Sequence, residues 1–290
     1  MGKTEIGVMA HNEAGNLHRL LDRLLSEPGD HRICIVSSGS TDQTNQIAER
    51  FVQKYPRVRL IVEAARNGKA RAINRFFADL SLDCDRVVIV SADVLPEPGA
   101  LAALLAPLDD PNIQMTGARP CPSNPKQGMV NRAVHFQWAL LDRVAQTHPK
   151  LGEMVAFRPP IEPIDPNTVV DEAALEAQLI ADSGRLAYVR EAVVINLGPQ
   201  SLRDLVAQRE RIWMGHLRLH QRTGYRVSTH RLRWVCRSAL GHLYGRPSDV
   251  PAAIVAASIE LFARVRGSYR FRVRGELPTI WQPLLSAKVR

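Results

Sequence analysis

Along the first hundred positions of the 290-residue chain, apolar residues recur in two alternating rhythms. Short apolar runs at 5–9, 33–36, 58–62 and 86–90 are bounded by polar or glycine-containing stretches and predict buried strands. Between them Leu17, Leu20, Leu21, Leu24 and Leu25 repeat at helical spacing until Pro28-Gly29 ends the run. Ser40-Thr41-Asp42 caps a second helix carrying Ile47 and Phe51, and 69–80 forms a third with Ile73, Phe76 and Phe77 on one face. A short helix at 99–105 closes this half. Strand and helix alternating in this way predict βαβ units around a parallel sheet.

After Asp109-Asp110-Pro111 the rhythm changes. A strand is expected at 113–118, then a long helix at 127–146 with Trp138 and Leu141 on its buried side, and a strand at 154–157. A proline-rich loop (Pro159, Pro160, Pro163, Pro166) leads to a helix opening on Asp171-Glu172. Strand material at 186–189 and 193–195 precedes a helix capped by Ser201 and running through Trp213. Beyond Gly224 the pattern is less regular, with a helix expected at 252–262. No internal repeat or low-complexity segment interrupts the chain.

Composition narrows this picture only in part. With 45% hydrophobic and 23% charged residues the chain is ordinary and globular. No apolar signal region follows Met1-Gly2-Lys3, and no run approaches the roughly 18 apolar residues of a membrane span, so the expectation is a cytoplasmic protein. Cys34, Cys84, Cys121 and Cys236 lie far apart and read as reduced thiols. The net charge of +9 is uneven: from Gln200 onward 17 lysines and arginines face 5 acids. Such a basic end suits anionic lipid, nucleic acid, an anionic substrate or a solvated surface.

The chemistry gathers where the strands end. His11-Asn12-Glu13, Ser37-Ser38-Gly39-Ser40-Thr41-Asp42, Arg66-Asn67-Gly68-Lys69 and Ser91-Ala92-Asp93 follow the four strands in turn. In open α/β sheets ligands bind at the carboxyl ends of the strands. This polar rim offers amides and hydroxyls to a base and ribose, a lysine to phosphate and a carboxylate to a divalent cation. No Gly-x-Gly-x-x-Gly follows the first strand, and Gly68-Lys69 lacks the rest of a P-loop, which disfavours dinucleotide and triphosphate-hydrolysing folds.

The segments IGVMAHNEAGNLHRLLDRLL, ICIVSSGSTDQTNQIAERF, RNGKARAINRFF and VVIVSADVLPEPGAL resemble, in order, the nucleotide-sugar domain of glycosyltransferase family 2. The likeness continues through GEMVAFR, VVDEAALEAQL and QRERIWMGH, and so covers residues 5 to 218. It implies an α/β GT-A fold, a Rossmann-like mixed sheet flanked by helices, with a helical, basic C-terminal extension. The implied organisation is a GT-A domain at 1–218, with a nucleotide-binding half at 1–110 and an acceptor half at 111–218. The extension occupies 219–290.

The resemblance also implies an inverting, metal-dependent transfer from a UDP- or GDP-linked sugar to a hydroxyl on a small-molecule or lipid-linked acceptor. Ala10, Asn12, Glu13, Ser38, Gly39, Gly68, Lys69, Ala92 and Asp93 are the implied nucleotide-sugar residues, with Asp93 holding Mg²⁺ or Mn²⁺. Asp171 or Glu172 is the implied general base, and Gln208, Arg209, Arg211 and Trp213 close over diphosphate and acceptor. Two departures are specific to this chain. Ser37-Ser38-Gly39-Ser40 stands where members usually carry Asp-Asp-Gly-Ser, and Ser91-Ala92-Asp93 leaves one carboxylate where the metal motif has two. One carboxylate suffices when substrate phosphates and water complete the shell.

On the residues alone, Asp42 is better explained as a helix cap than as a ligand. The competing classes are a sugar-phosphate nucleotidyltransferase on the same fold and a non-catalytic binder of nucleotide sugar or nucleic acid. The first wants a glycine-rich basic loop that Ala10-His11-Asn12-Glu13 does not supply. In the second, the acidic pair and Asp93 would repel nucleic-acid phosphates, so no nucleic-acid partner is expected. Peripheral membrane contact is expected of the basic C-terminal region.

Overall fold

The structure is a computed structural model that describes residues 3–181 and 184–277. The end of the expected C-terminal extension, 278–290, lies outside the described residues. In chain order the elements are β1 (Thr4–Ala10), α1 (Ala14–Ser26), β2 (His31–Ser38), α2 (Thr44–Lys54), β3 (Val58–Glu63), α3 (Lys69–Phe77) and β4 (Arg86–Ser91). There follow β5 (Val94–Pro96), α4 (Ala100–Leu105), β6 (Ile113–Pro122), α5 (Met129–Ala145), β7 (Met154–Phe157) and α6 (Asp171–Ala181). The chain continues through β8 (Arg185–Asn196), α7 (Leu202–Thr223), α8 (Leu232–Gly245) and α9 (Val250–Arg272).

Among the described residues one eight-stranded sheet runs in the order β3-β2-β1-β4-β7-β6-β8-β5. Strands β3, β2, β1 and β4 are mutually parallel, whereas β7 pairs antiparallel with both β4 and β6. This is the mixed sheet the resemblance implies. Alternate residues of each parallel strand are buried on opposite faces. Ile6, Val8, Ile33, Ile35, Val88 and Val90 pack with α1, α2 and α4. Met9, Cys34, Val36, Val87 and Ile89 pack with α3 and α6. Both faces being covered explains why these strands read as continuous apolar runs. At Gly7 the backbone lies so close to α3 that an added Cβ would sit 2.5 Å from a Phe76 ring carbon.

Two expectations are corrected. Helix α7 does not stop near Trp213 but continues to Thr223, where Gly224 closes it in the left-handed conformation. The region beyond Gly224 is regular, holding α8 and the 23-residue α9. Trp138 and Leu141 share the inward side of α5 with the buried Val134 and Ala145, as expected; Trp138 packs against Val134, Leu205 and Ile259, and both residues also border cavities.

Candidate functional site

Parallel pairing sets the tips of β1, β2 and β4 level, since Ala10 lies opposite Ser37 and Met9 opposite Ser91. Side chains then staple the loops together. Asn12 adopts a left-handed φ of 54°, and its Oδ1 accepts from the Thr41 amide at 2.7 Å. The Glu13 amide donates to Thr44 Oγ1 at 2.8 Å, and the Ser38 hydroxyl accepts from the Asn67 amide at 3.2 Å. Asp42 accepts from the amides of Ala14 and Thr44, so it brackets two helix starts, the capping role expected from sequence.

These tips form one wall of a cleft of about 320 Å³. Ala10, Glu13, Ser38, Gly68, Lys69, Ala92 and Asp93 line it, as do Asp171 and Glu172 from α6 and Gln208 and Arg211 from α7. The strand tips and the acidic pair, about 80 to 160 residues apart in sequence, thus share one cavity. Asn12 and Gly39 are not among the lining residues. Gly39 lets the β2 tip approach the 65–66 backbone, where an added Cβ would meet the Arg66 nitrogen at 2.4 Å. Arg209 and Trp213 point instead into an adjoining cavity of about 130 Å³. There Arg209 pairs with Glu260 at 2.7 Å, and the Trp213 indole N–H donates to Ser268 Oγ at 2.8 Å.

The electrostatics differ from the simplest reading of Gly68-Lys69. Lys69 lies 2.7 Å from Asp171 and 2.8 Å from Glu172. Burial alone would favour its neutral form, but the two carboxylates outweigh that and hold the ammonium charged. Glu172 is partly buried, which alone would raise it, yet Lys69 and then Lys150 draw it down to about 2. Asp171 moves the other way, raised by burial and by the neighbouring Glu172 charge. One partner of the pair is therefore firmly ionised and the other more basic.

Three cleft residues, Glu153, Lys150 and His216, were not singled out from sequence. Glu153 has a left-handed φ of 64°, and its Oε2 accepts from Asn196 Nδ2 at 2.8 Å. Burial, with the charges of Glu172 and Asp93, pushes its carboxyl up to about 7. Lys150 and Arg66 bring further positive charge, and His216 is kept neutral chiefly by burial. GEMVAFR marked the segment holding Glu153, but nothing in a sequence signals positive φ at a glutamate.

The residues fit a divalent cation in one respect. Asp93 brings a hard carboxylate oxygen to the cleft wall, and its charge is felt at Glu153. Among the described residues no group of three or more His, Cys, Asp or Glu side chains is placed to hold a metal ion. Oxygen atoms of a bound ligand would have to complete the shell.

The family model described as Glycosyl transferase family 2 matches residues 5–154. The succinoglycan biosynthesis protein ExoA of Rhizobium meliloti (strain 1021) is 32% identical over 83 residues, which is 28% of this chain. That match spans a quarter of the relative's own length. Among solved structures, the mannosyltransferase PcManGT from Pyrobaculum calidifontis, in complex with GDP-Man and Mn²⁺, superposes with a TM-score of 0.69 at 19% identity. The superposition covers 94% of this chain and 88% of that one. Glucosyl-3-phosphoglycerate synthase from Mycobacterium tuberculosis, in complex with Mn²⁺, UDP-glucose and phosphoglyceric acid, gives 0.54 at 21% identity over 78% of this chain and 81% of that one. At these identities the likeness is one of fold.

Proposed function

The chain belongs to glycosyl transferase family 2, and on that premise we propose that it moves one sugar, with inversion, from a UDP- or GDP-linked donor to a hydroxyl acceptor. The observation that carries this reading is the single cleft joining the strand tips at Asp93 to the acidic pair on α6. Ala10, Asn12, Glu13, Ser38 and Gly39 shape the nucleoside end. Gly68 and Ala92 let the backbone approach the diphosphate. Lys69 is engaged by Asp171 and Glu172, so Arg211, Arg66 and Gln208 meet the diphosphate first. Asp93 holds Mg²⁺ or Mn²⁺, as the two solved relatives were captured with Mn²⁺. When bound, the cation offsets charge on the departing nucleoside diphosphate.

In the transfer, the acceptor oxygen forms a bond to the anomeric carbon while the bond from that carbon to the diphosphate breaks. The leaving group takes the electron pair, and the acceptor proton passes to a carboxylate of the pair. Asp171 suits that task better, because a carboxylate drawn down to about 2, as Glu172 is, accepts protons poorly near neutral pH. Glu172 keeps Lys69 in place.

The test is release of nucleoside diphosphate from a panel of UDP- and GDP-sugars, with and without Mn²⁺. Turnover is expected only with the cation, and Asp93→Ala should lower kcat/KM by about 10²–10³-fold at unchanged Tm. Full turnover in Asp93→Ala would remove the metal assignment. Steep salt-dependent binding to generic DNA, with no donor turned over, would favour a nucleic-acid binder instead.

The C-terminal helices add a location to this activity. Along α9 the small residues Ala252, Ala256 and Ala263, with Ile259, face inward, while Ile254, Leu261, Phe262, Val265 and Tyr269 stand exposed on the outside. Between Arg231 and Arg274 the sequence holds nine arginines and two acids. An exposed apolar stripe among arginines matches an anionic lipid surface. A second copy would bring the same positive face against it. No helix among the described residues is long and apolar enough to cross a membrane, so the contact proposed is peripheral. The chain should sediment with vesicles containing phosphatidylglycerol, not with pure phosphatidylcholine, and Leu261→Glu with Val265→Glu should release it. Equal binding to both vesicles, or a dimer by light scattering that those changes dissolve, would overturn the assignment.

A further inference from the structure

One fully buried carboxylate has no place in the transfer itself. Glu176 lies one helical turn beyond Glu172 on α6 and is wholly out of solvent. Burial raises its carboxyl above the ordinary range. A leucine would fill the same space without that cost, so glutamate is there for another reason. Both of its oxygens are used. Oε1 accepts from the Leu151 amide at 2.5 Å, and Oε2 accepts from the Tyr225 hydroxyl at 2.7 Å.

The two partners belong to segments that reach the donor cleft. Leu151 stands among Lys150, Gly152 and Glu153, all three of which line it. Tyr225 follows α7, which brings Gln208 and Arg211 to the same cleft. The segment at 150–153 also needs holding. The Met154 amide donates to the Gly152 carbonyl at 2.8 Å, closing a three-residue turn with Glu153 at its centre. With φ at 64°, Glu153 takes the rare, strained form of that turn. Beyond the turn the chain is fixed by β7, which is paired on both sides. Before it, the buried Leu151 side chain lies against Gly117, where an added Cβ would come within 2.6 Å. The Leu151 backbone is held by Glu176.

We propose that Glu176 is a positioning residue: by tying the Leu151 amide to α6 and to Tyr225, it holds the turn that keeps Lys150 and Glu153 in the cleft beside the acidic pair. The inference rests on the transferase reading above and adds a residue that acts at one remove from the reacting atoms. A buried polar network with every member satisfied fixes one arrangement. What it fixes here is charge. Lys150 draws Glu172 down, and Glu172 in turn raises both Asp171 and Glu153. The place of the turn therefore sets the field around the proton acceptor. If the turn relaxes, the donor still meets the strand tips, and the transfer step slows.

The experiment uses the full chain and a donor that it turns over. It reads kcat and donor KM well below each variant's Tm, with amide hydrogen exchange as a readout independent of activity. Glu176→Leu keeps the volume and removes both bonds. It should lower kcat by about 10²-fold, the loss that a displacement of about 1 Å brings, and change donor KM by less than about threefold. Exchange at the Leu151 and Met154 amides should quicken. Glu176→Gln can still accept from Leu151 and donate to Tyr225, so it should restore kcat to within about threefold of the parent. Tyr225→Phe, which spares the Leu151 bond, should lower kcat by about threefold to tenfold, and it carries the test if Glu176→Leu does not fold. In a chain already bearing Lys150→Ala and Glu153→Ala, Glu176→Leu should cost little more, since what it positions is gone.

Full additivity in that background, a loss that Glu176→Gln does not recover, unchanged exchange in Glu176→Leu, or unchanged kcat in Glu176→Leu and Tyr225→Phe would each overturn the proposal and leave the transferase reading standing. If the parent consumes no donor, that reading fails and this role goes with it.

Discussion

The two walls of the cleft are built by different means. The donor wall is backbone: three parallel strands in register, with tips fixed by amide and hydroxyl bonds through Asn12, Ser38, Asp42 and Thr44. The acceptor wall is held by long charged side chains from segments distant in sequence. Lys69 reaches Asp171 and Glu172, Glu260 joins Arg209 to Arg264, and Glu210 joins α7 to Arg266 and Arg270. A wall set by strand register depends mainly on backbone pairing, with Asp42 the one carboxylate among the staples named above. A wall set by buried ion pairs changes with protonation and with the charge of its ligand. Donor recognition is therefore expected to be rigid, and acceptor chemistry to be tunable.

The sharpest way to break that contrast lies in the acidic pair. Asp171→Asn is expected to lower kcat by about 10²–10⁴-fold, the usual contribution of a positioned general base. Glu172→Gln should cost at least about tenfold less, because its main task is to hold Lys69. Steady-state kinetics on both variants decides this, with donor KM as the internal reference. Equal losses would mean that the pair acts as one charged unit. Two unchanged variants would move the base elsewhere.

The same division explains what could be read from the sequence. The parallel strands, the Ser201 cap and the strand at Met154–Phe157 were legible because apolar runs and caps are local signals. So were the residues at the strand tips, which topology places without further information. Lys69 was read as a phosphate ligand because Gly68-Lys69 is a local pattern, whereas its partner Glu172 lies 103 positions away. The length of α9 was hidden for another reason. It is apolar on the side facing α5 and α7 and again on its exposed side, so no 3.6-residue contrast marks it. Trp138 and Leu141 lie on the inward side of α5 that their spacing predicts, but helical spacing carried no sign that they also border cavities.

A smaller effect probes strain in the acceptor wall through stability. Burial, then Glu172 and Asp93, hold the Glu153 carboxyl at about 7 against an ordinary 4.5. Below pH 4.5 the folded and unfolded chains are both protonated there, and the site costs nothing. As pH rises from 4.5 to 7 the unfolded chain gives up its proton first, so folding must bind one and stability falls. Glu153→Gln removes that cost. The variant should be more stable than the parent by about 2–3 kcal/mol at pH 8, after allowance for partial solvent screening. The gain should fade to nothing below pH 4.5. Urea titrations across that range measure it, and a gain independent of pH would show that the carboxylate charge is not its source.

The smallest of these effects has the opposite sign and sits in the same wall. Burial alone would raise the Glu260 carboxyl, but Arg209 and then Arg264 outweigh it and hold it at about 2. A folded-state value below the ordinary 4.5 means that the ion pairs stabilise the protein fully above 4.5 and are lost as pH falls toward 2. Glu260→Gln should therefore cost about 1–2 kcal/mol at pH 7, reduced from a fully buried pair because the side chain remains 24% exposed. The deficit should shrink as pH falls below 4.5 and vanish only below about pH 2, where the parent has lost the same charge. Glu153 and Glu260 line one cavity, yet one carboxylate weakens the fold at neutral pH and the other strengthens it. If both variants instead shifted stability in the same direction, the acceptor wall would owe its shape to packing, and the contrast with the donor wall would fail.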